Sequence, residues 1–409
     1  MTSLPSSSTA AERPRLAIVL SHPTQYYSPW FRWLRQQTPF TLRVFYLWEF
    51  GVTAQRDPEF QKTFRWDVDL LNGYEHEFVP NVSRDPGTHH FNGLRNPTLT
   101  SRLSAFSPNA ILLFGYAHAA HLRLILWARR RGIPLVFRGD SHFIGRPRPP
   151  LLTRTALRLL YAQFAAFTYV GAANLNYFTT LGVPSRKLFF APHSVDHTRF
   201  NPSLKPYRDD AAELRSSLGL ASSTRVVLFA GKLLPAKQPL ELLDAYLSSP
   251  ADDHALVFVG DGSEKSALQE RARAARSHRV FFLPFANQSE MPSRYLAANI
   301  FALPSRGLYE TWGLAVNEAM HMGLPSLVSN HVGCQRDLVT DGETGWVFRA
   351  NDPDHLRERL AAALRADLAP FRRNVASRIA GYTYPQTTAG LVAALNRLLP
   401  SRSSLLLES

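Results

Sequence analysis

Short apolar runs alternate with polar, helix-period stretches along most of this chain. Leu16-Ala-Ile-Val-Leu20 is continuous and of strand length, the pattern of a strand covered on both faces. After the polar loop Ser21-His-Pro-Thr-Gln-Tyr-Tyr27, Ser28 and Pro29 fit an N-cap followed by proline in the first turn, which predicts a helix to about Gln37. Residues 42–47 are the next expected strand. From Trp48 to Pro97 neither period holds and Asp, Asn, Gly and Pro are frequent, so long loops are expected. Beyond them the pattern predicts strands at 110–114, 134–137, 167–170 and 188–190. Helices are expected at 121–131 and 151–166, the second amphipathic with Arg154 and Arg158 on one side.

A polar, proline-bearing stretch from Pro192 to about Ser217 interrupts the alternation. It then restarts, with strands expected at 225–230, 255–259, 280–283, 300–303 and 326–328. The helices fall at 239–248, 263–275, 290–298, 313–322, 353–365 and about 385–399. Strands that alternate with helices imply parallel sheets wrapped by helices. The expected fold is α/β, with two doubly wound Rossmann-like domains facing a central cleft. The organisation follows: a leader without structure at 1–13, a first domain at 14–190, a linker at 191–217, a second domain at 218–380, and at 381–409 a helix and tail packing back on the first domain.

Composition narrows the class. Of 409 residues, 45% are hydrophobic and 19% charged, enough for sizeable cores. The one cysteine, Cys334, excludes a disulfide scaffold and a four-cysteine zinc site. No apolar run approaches the ~18 residues of a membrane span, and the N-terminus lacks a basic-then-apolar signal, so a cytoplasmic location is expected. Charge is uneven. Residues 1–190 hold 22 basic and 10 acidic residues, residues 191–409 hold 24 and 22, and Asp140 is the only acid in 86–190. A basic half beside a neutral half points to an anionic partner for the first half: nucleic acid, an anionic membrane surface or a phosphorylated substrate. A generally arginine-rich proteome would explain the sign but not the asymmetry.

Four segments of the second half carry candidate chemistry. The densest runs from Pro304 to Pro325, with Glu310 in a loop after a strand, Gly313 and Leu314 opening a helix, Glu318 inside it, and Gly323 and Pro325 ending it. The amides at a helix start can hold a phosphate, and two carboxylates straddling it can accept sugar hydroxyls. The plain alternative is a helix start steadied by a nearby acid, with Glu318 solvated. The second segment is Gly231-Lys232-x4-Lys237 after a strand, two point charges suited to a diphosphate. The third is the turn Val259-Gly260-Asp261-Gly262. The fourth is the glycine-bearing stretch from His331 to Gly345, with Gly333-x3-Asp337 inside it; its backbone either approaches a ligand or forms a plain loop.

In this order and spacing, the four segments resemble the C-terminal domain of retaining glycosyltransferases of family 4 (glycosyl transferases group 1), which have the GT-B fold. The match is close over about 225–350. The resemblance implies that Glu318 holds the ribose and Glu310 the transferred sugar. It also implies that Gly231, Lys232, Lys237, Gly313 and Leu314 hold the diphosphate and that Phe285 and Asn287 border the base. A nucleotide-diphosphate-sugar is then a substrate, and neither a cofactor nor a metal is expected. The first half departs from the pattern: the loop after the first strand has no glycine, so His22 or Gln25 is a candidate to reach the site instead. The position of the family's histidine aligns with Asp140, with His142 two residues on. Asp140 is either an ion-pair partner or catalytic, alongside Glu310 and Lys237. Tyr116 and His118 are further acceptor-side candidates, or structural residues.

The implied reaction moves a sugar to a hydroxyl of a glycan or lipid-linked acceptor with retention, in cell-surface polysaccharide or glycolipid synthesis. The acceptor sits on the basic half. Its arginines, among them Arg123, Arg146, Arg148, Arg154 and Arg158, suit anionic headgroups, and Tyr26, Tyr27, Trp30, Phe31 and Trp33 offer either a platform or core packing. Other readings are a nucleotide-sugar epimerase, a sugar phosphorylase (for which no pyridoxal lysine can be located) and a GT-B protein that binds without transferring. A nucleic-acid binder is disfavoured, because no helix-turn-helix, RNP or zinc signature is present.

Overall fold

A computed structural model describes residues 13–52, 55–57, 62–145, 147, 149–248, 253–307 and 310–399. The expected leader, except Arg13, and Arg146 and Arg148 lie outside the described residues. In chain order the first nine strands are β1 (Arg15–Leu20), β2 (Thr41–Tyr46), β3 (Gln55–Asp57), β4 (Lys62–Phe64), β5 (Glu75–Phe78), β6 (Ala110–Phe114), β7 (Leu135–Arg138), β8 (Ala166–Tyr169) and β9 (Leu188–Phe190). Seven of them form a parallel sheet in the order β5-β2-β1-β6-β7-β8-β9, while β3 and β4 pair as a separate antiparallel ribbon. A second parallel sheet, ordered β12-β11-β10-β13-β14-β15, follows. Its strands are β10 (Arg225–Ala230), β11 (His254–Val259), β12 (Val280–Leu283), β13 (Ile300–Leu303), β14 (Ser326–Ser329) and β15 (Gly345–Phe348).

Each sheet grows from a central strand to one edge and then returns to fill the other side. The direction reverses between β1 and β6 and again between β10 and β13. Ligands of doubly wound sheets bind outside the strand ends at such reversals. The central strands are the continuous apolar runs. β1 and β10 are buried at five of six positions each, because helices cover both faces of each sheet.

The differences from the expected elements are mostly at edges and in short helices. β5 reads Glu-His-Glu-Phe, half exposed, and is held by backbone pairing to β2 and by the Arg43–Glu75 ion pair at 3.0 Å. An edge strand this polar carries no apolar signal. The helices Leu99–Phe106, Ala172–Thr180 and Leu368–Ile379 were not expected. The supposed linker carries the helix Lys205–Ser217, of whose residues only Ala211 is buried. The first helix spans Tyr27–Gln37, so Ser28 lies inside it, fully buried, and does not cap it.

The last helix, Tyr384–Leu398, crosses back to the first domain. Leu391, Ala394 and Leu395 join Leu16, Ile18 and Trp30 in one core, and Trp30 Nε1 donates to Thr388 Oγ1 at 3.1 Å. No helix among the described residues is long and apolar enough to cross a membrane.

Candidate functional site

A cavity of about 400 Å³ lies between the C-terminal edges of the two sheets. Residues that follow strand ends line it. Gln25 and Tyr26 come after β1, Phe50 after β2, Asp140 after β7, Gly231, Lys232 and Lys237 after β10, Phe285 after β12, and Glu310 to Leu314 after β13. Both reversals of strand order thus open on one space.

The glycines after β10 and β11 set its floor. A Cβ on Gly260 would lie 2.0 Å from the carbonyl oxygen of Gly231, so the two loops meet backbone to backbone. Lys237 ends the single turn Pro235–Lys237, which the amide of Arg306 steadies by donating to Ala236 O at 2.8 Å. Its ammonium pairs with Glu310 Oε2, which also accepts from Ser305 Oγ at 3.1 Å. Both side chains are largely buried, 12% and 14% exposed, which strengthens the pairing over its value in water.

Gly313 caps the helix Leu314–His321 in the left-handed region, at φ +100°, where glycine carries no Cβ penalty. That turn aims the first amides of the helix at the cavity, which Gly313, Leu314 and Ala315 line. Glu318, one turn in, is 3% exposed. Tyr295 donates to its Oε2 at 2.8 Å, and Tyr26 and Gln288 stand beside it as further donors that favour its charged form. Its Oε1 is buried with no partner. Burial pushes the carboxyl up to about 7 despite those donors, so it is poised between charge states near neutrality.

Across the cavity, Thr311 Oγ1 donates to Asp140 Oδ2 at 2.8 Å, and His193 Nε2 lies 3.5 Å from the same oxygen. Burial at the wall pushes the Asp140 carboxyl up, but His193 and Thr311 outweigh it and hold the group down at about 2. Behind it Arg138 is 2% exposed, donating to Ala191 O at 3.0 Å and lying over the Trp30 ring. The two readings of Asp140 are therefore not exclusive: it belongs to a buried charged cluster and also faces the cavity.

His142 is buried beside this cluster without lining the cavity. Its Nδ1 accepts from the Ile144 amide at 3.1 Å, which leaves Nε2 to donate to Glu310 O at 3.4 Å. It holds the backbone of the Glu310 loop. His22 lies behind Phe50, its ring edge-on to Phe50 and Trp48, and burial lowers it to about 4. Tyr116 packs against Phe137 and Tyr161, and His118 contacts His90 O at 3.1 Å; neither lines the cavity. Asn287 also lies off it. Its side chain donates to Arg65 O at 2.8 Å and, with Ser289, joins the second domain to the segment around Asp67. Of the five aromatics near the first loop, only Tyr26 lines the cavity, while Trp30 and Phe31 are core.

The glycine loop after β14 supports rather than lines the site. Gly333 and Cys334 donate to Glu310 O and Trp312 O at 3.2 and 2.8 Å, and Asp337 accepts from the Ala172 amide at 3.0 Å across the domain junction. The sequence reading missed Tyr295, Gln288, Thr311, Trp66 and His193. Thr311 sits beside Glu310 within the motif and was within reach. The others come from distant segments with no motif of their own. Among the described residues, the group with metal-ligand spacing is Asp85, His89 and His90, which lies outside the cavity.

Comparison with known proteins matches residues 210–380 to the family described as glycosyl transferases group 1. The chain is 30% identical over 210 residues to the D-inositol 3-phosphate glycosyltransferase of Mycolicibacterium gilvum, covering 50% of this chain and 45% of that protein. The match thus spans about half the length of that curated relative. It is 31% identical over 299 residues to the GDP-mannose-dependent alpha-(1-6)-phosphatidylinositol monomannoside mannosyltransferase of Mycolicibacterium smegmatis, covering 70% of this chain and 75% of that one. The structure of Anabaena Alr3699/HepE in complex with UDP and glucose superposes with a TM-score of 0.69 at 17% identity, covering 94% of this chain and all of that one. That likeness shows the fold, two Rossmann-like domains in the GT-B arrangement. The chain belongs to the glycosyl transferases group 1 family.

Proposed function

We propose that this chain transfers a sugar from a nucleotide-diphosphate-sugar to a hydroxyl of a glycan or lipid-linked acceptor, with retention, in cell-surface polysaccharide or glycolipid assembly. The observation that carries the reading is the convergence of Lys232, Lys237, Glu310, Glu318 and the first amides of Leu314–His321 on one cavity at both strand-order reversals. The lysines and amides neutralise the diphosphate as it leaves, by charges set in place before reaction, and take the part a divalent metal would otherwise play. Glu318, with an unpartnered buried oxygen, accepts the ribose hydroxyls. Glu310 accepts the hydroxyls of the transferred sugar, and Phe285 borders the base. Asp140 lies on the opposite wall, where the acceptor approaches. A relative named as GDP-mannose-dependent, and a structural neighbour holding UDP and glucose, support a donor of this class.

The test is calorimetry of UDP, GDP, ADP and their sugars on the full chain, without metal, against Glu318→Ala. Binding of one nucleotide that the substitution abolishes supports the donor site and names the base. Binding without turnover on any acceptor points to a non-catalytic member, and interconversion of donor sugars without acceptor points to an epimerase. No binding by any nucleotide removes the reading.

A further inference from the structure

The helix Leu151–Tyr161 has one fully buried residue, Tyr161. Leu157 and Leu160 lean on the core, so the opposite side faces water. That side is apolar: Leu151, Leu152 and Leu159 are 71%, 85% and 65% exposed. Leu152 and Leu159 stand seven residues apart, two turns, and share a face. Arg158 is exposed beside that stripe and Arg154 half-exposed one turn earlier.

The helix Ala119–Arg130 lies alongside. Both helices cover the same core, and Arg129 Nη1 donates to Gln163 Oε1, just past the end of Leu151–Tyr161, at 2.9 Å. This second helix exposes Leu122 and Leu126, one turn apart, with Arg123 and Arg130. Five exposed leucines among arginines therefore occupy one side of the first domain. Asp140 is the only acid between Asp85 and Asp196, so nothing on these helices offsets the positive charge.

We propose that these two helices form a docking face for an anionic lipid bilayer. Leu151, Leu152 and Leu159 enter the boundary between headgroups and acyl chains, and Arg123, Arg154 and Arg158 hold lipid phosphates. Charge decides among occupants. A second copy would oppose one basic face with another, which disfavours association. A polyanion such as nucleic acid would satisfy the arginines but leave the leucines in water. A bilayer with anionic headgroups satisfies both at one depth.

The placement suits the site. The chain passes from Asp140 at the cavity wall to Gly145, which abuts His331 and Gly307 of the second domain, and reaches Leu151 six residues later. The eleven residues from Asp140 to Leu151 span at most about 40 Å, so the docking face and the cavity belong to one connected stretch of the first domain. The transferase reading explains what the docking is for, but the binding itself does not depend on that reading.

The test is flotation of the full chain with vesicles of phosphatidylcholine alone and with about one-third phosphatidylglycerol, with no nucleotide present. Retention on the anionic vesicles only is expected. Leu152→Glu with Leu159→Glu lowers the partition at least about tenfold. Arg154→Gln and Arg158→Gln lower it roughly fivefold each, with loss at high salt. All these side chains lie at the surface, so the thermal midpoint and nucleotide binding stay as in the wild type. No retention, equal retention on phosphatidylcholine, or retention that ignores the glutamates overturns the proposal. So does a wild-type dimer that the glutamates dissociate, which would assign the face to a second copy. A chain that binds no nucleotide but still floats would fail the donor reading and leave this one standing.

Discussion

Thr311 donates its hydroxyl to Asp140 Oδ2 at 2.8 Å, tying the loop after β13 to the loop after β7 across the cavity. With His193 it holds Asp140 ionised down to about pH 2, so this contribution to stability is present above the ordinary value of 3.8 and is lost as pH falls through about 2. Asp140 is therefore a fixed negative charge on the cavity wall throughout the neutral range. Asp140→Asn is expected to lower kcat roughly a hundredfold while the nucleotide Kd is unchanged. Thr311→Val, which leaves the charge but loosens it, should fall between. If Kd rises in step with the loss of kcat, Asp140 serves the donor instead.

Glu318 titrates where physiological pH lies. Its pKa stands at about 7 rather than 4.5 because the carboxyl is buried, so its contribution to stability is full below about 4.5 and lost as pH rises through about 7. Glu318→Gln removes that loss, and its thermal midpoint should exceed that of the wild type more at pH 8 than at pH 5. Ribose hydroxyls donating to the carboxylate favour its charged form. Nucleotide affinity should therefore rise with pH up to neutrality and level off above it. Calorimetry in buffers of different ionisation heat should register release of a fraction of a proton near pH 7. Binding without proton release would show that the ribose does not meet this group.

Lys237 and Glu310 hold each other, yet their removal should be told apart. If Lys237 meets the diphosphate as proposed, Lys237→Ala should lower nucleoside diphosphate affinity roughly tenfold, with monophosphate affinity less affected. Glu310→Gln should leave nucleoside diphosphate affinity intact while abolishing the extra affinity of the nucleotide-sugar and most of the turnover. Equal effects of both substitutions on the diphosphate alone would move Glu310 from the sugar to the phosphate side.

Gly260→Ala and Gly231→Ala separate crowding from backbone strain. A Cβ at Gly260 meets the Gly231 carbonyl oxygen at 2.0 Å with φ at +141°, whereas Gly231 has φ +150° and nothing within 4 Å. Gly231→Ala should cost about 1 kcal/mol and Gly260→Ala about 3 kcal/mol or more, with loss of nucleotide binding. Thermal unfolding of both variants checks this, and equal midpoints would show that the two loops can separate.

Much of this architecture is legible in one dimension. The strands at 110–114, 225–230, 255–259 and 300–303 stand out because central parallel strands are apolar on both faces, and the alternation with helices implies the doubly wound fold. β5 is not legible: its Glu-His-Glu-Phe has one partner strand and a wet side, so backbone pairing rather than burial holds it. The helix Lys205–Ser217 reads as linker because only Ala211 is buried.

The site divides in the same way. Lys232, Lys237, Glu310, Gly313 and Glu318 follow strand ends of a single domain at fixed spacings, so local order along the chain determines where they stand. His22, Tyr116, His118, His142 and Asn287 also follow strand ends, yet packing turns each of them off the cavity wall. The raised pKa of Glu318 comes from burial, only partly offset by Tyr295, Tyr26 and Gln288, and the charge of Asp140 is held by His193 and Thr311. Tyr26 and Thr311 reach these carboxylates from the opposite domain, while Tyr295 and Gln288 meet Glu318 within the second domain and His193 meets Asp140 from the chain just after β9. The sequence by itself determined the strands, the loops at their ends and the chemistry those loops carry. The tertiary structure decided which side chains meet and in what charge state, because burial and cross-domain contacts are properties of neighbours in space.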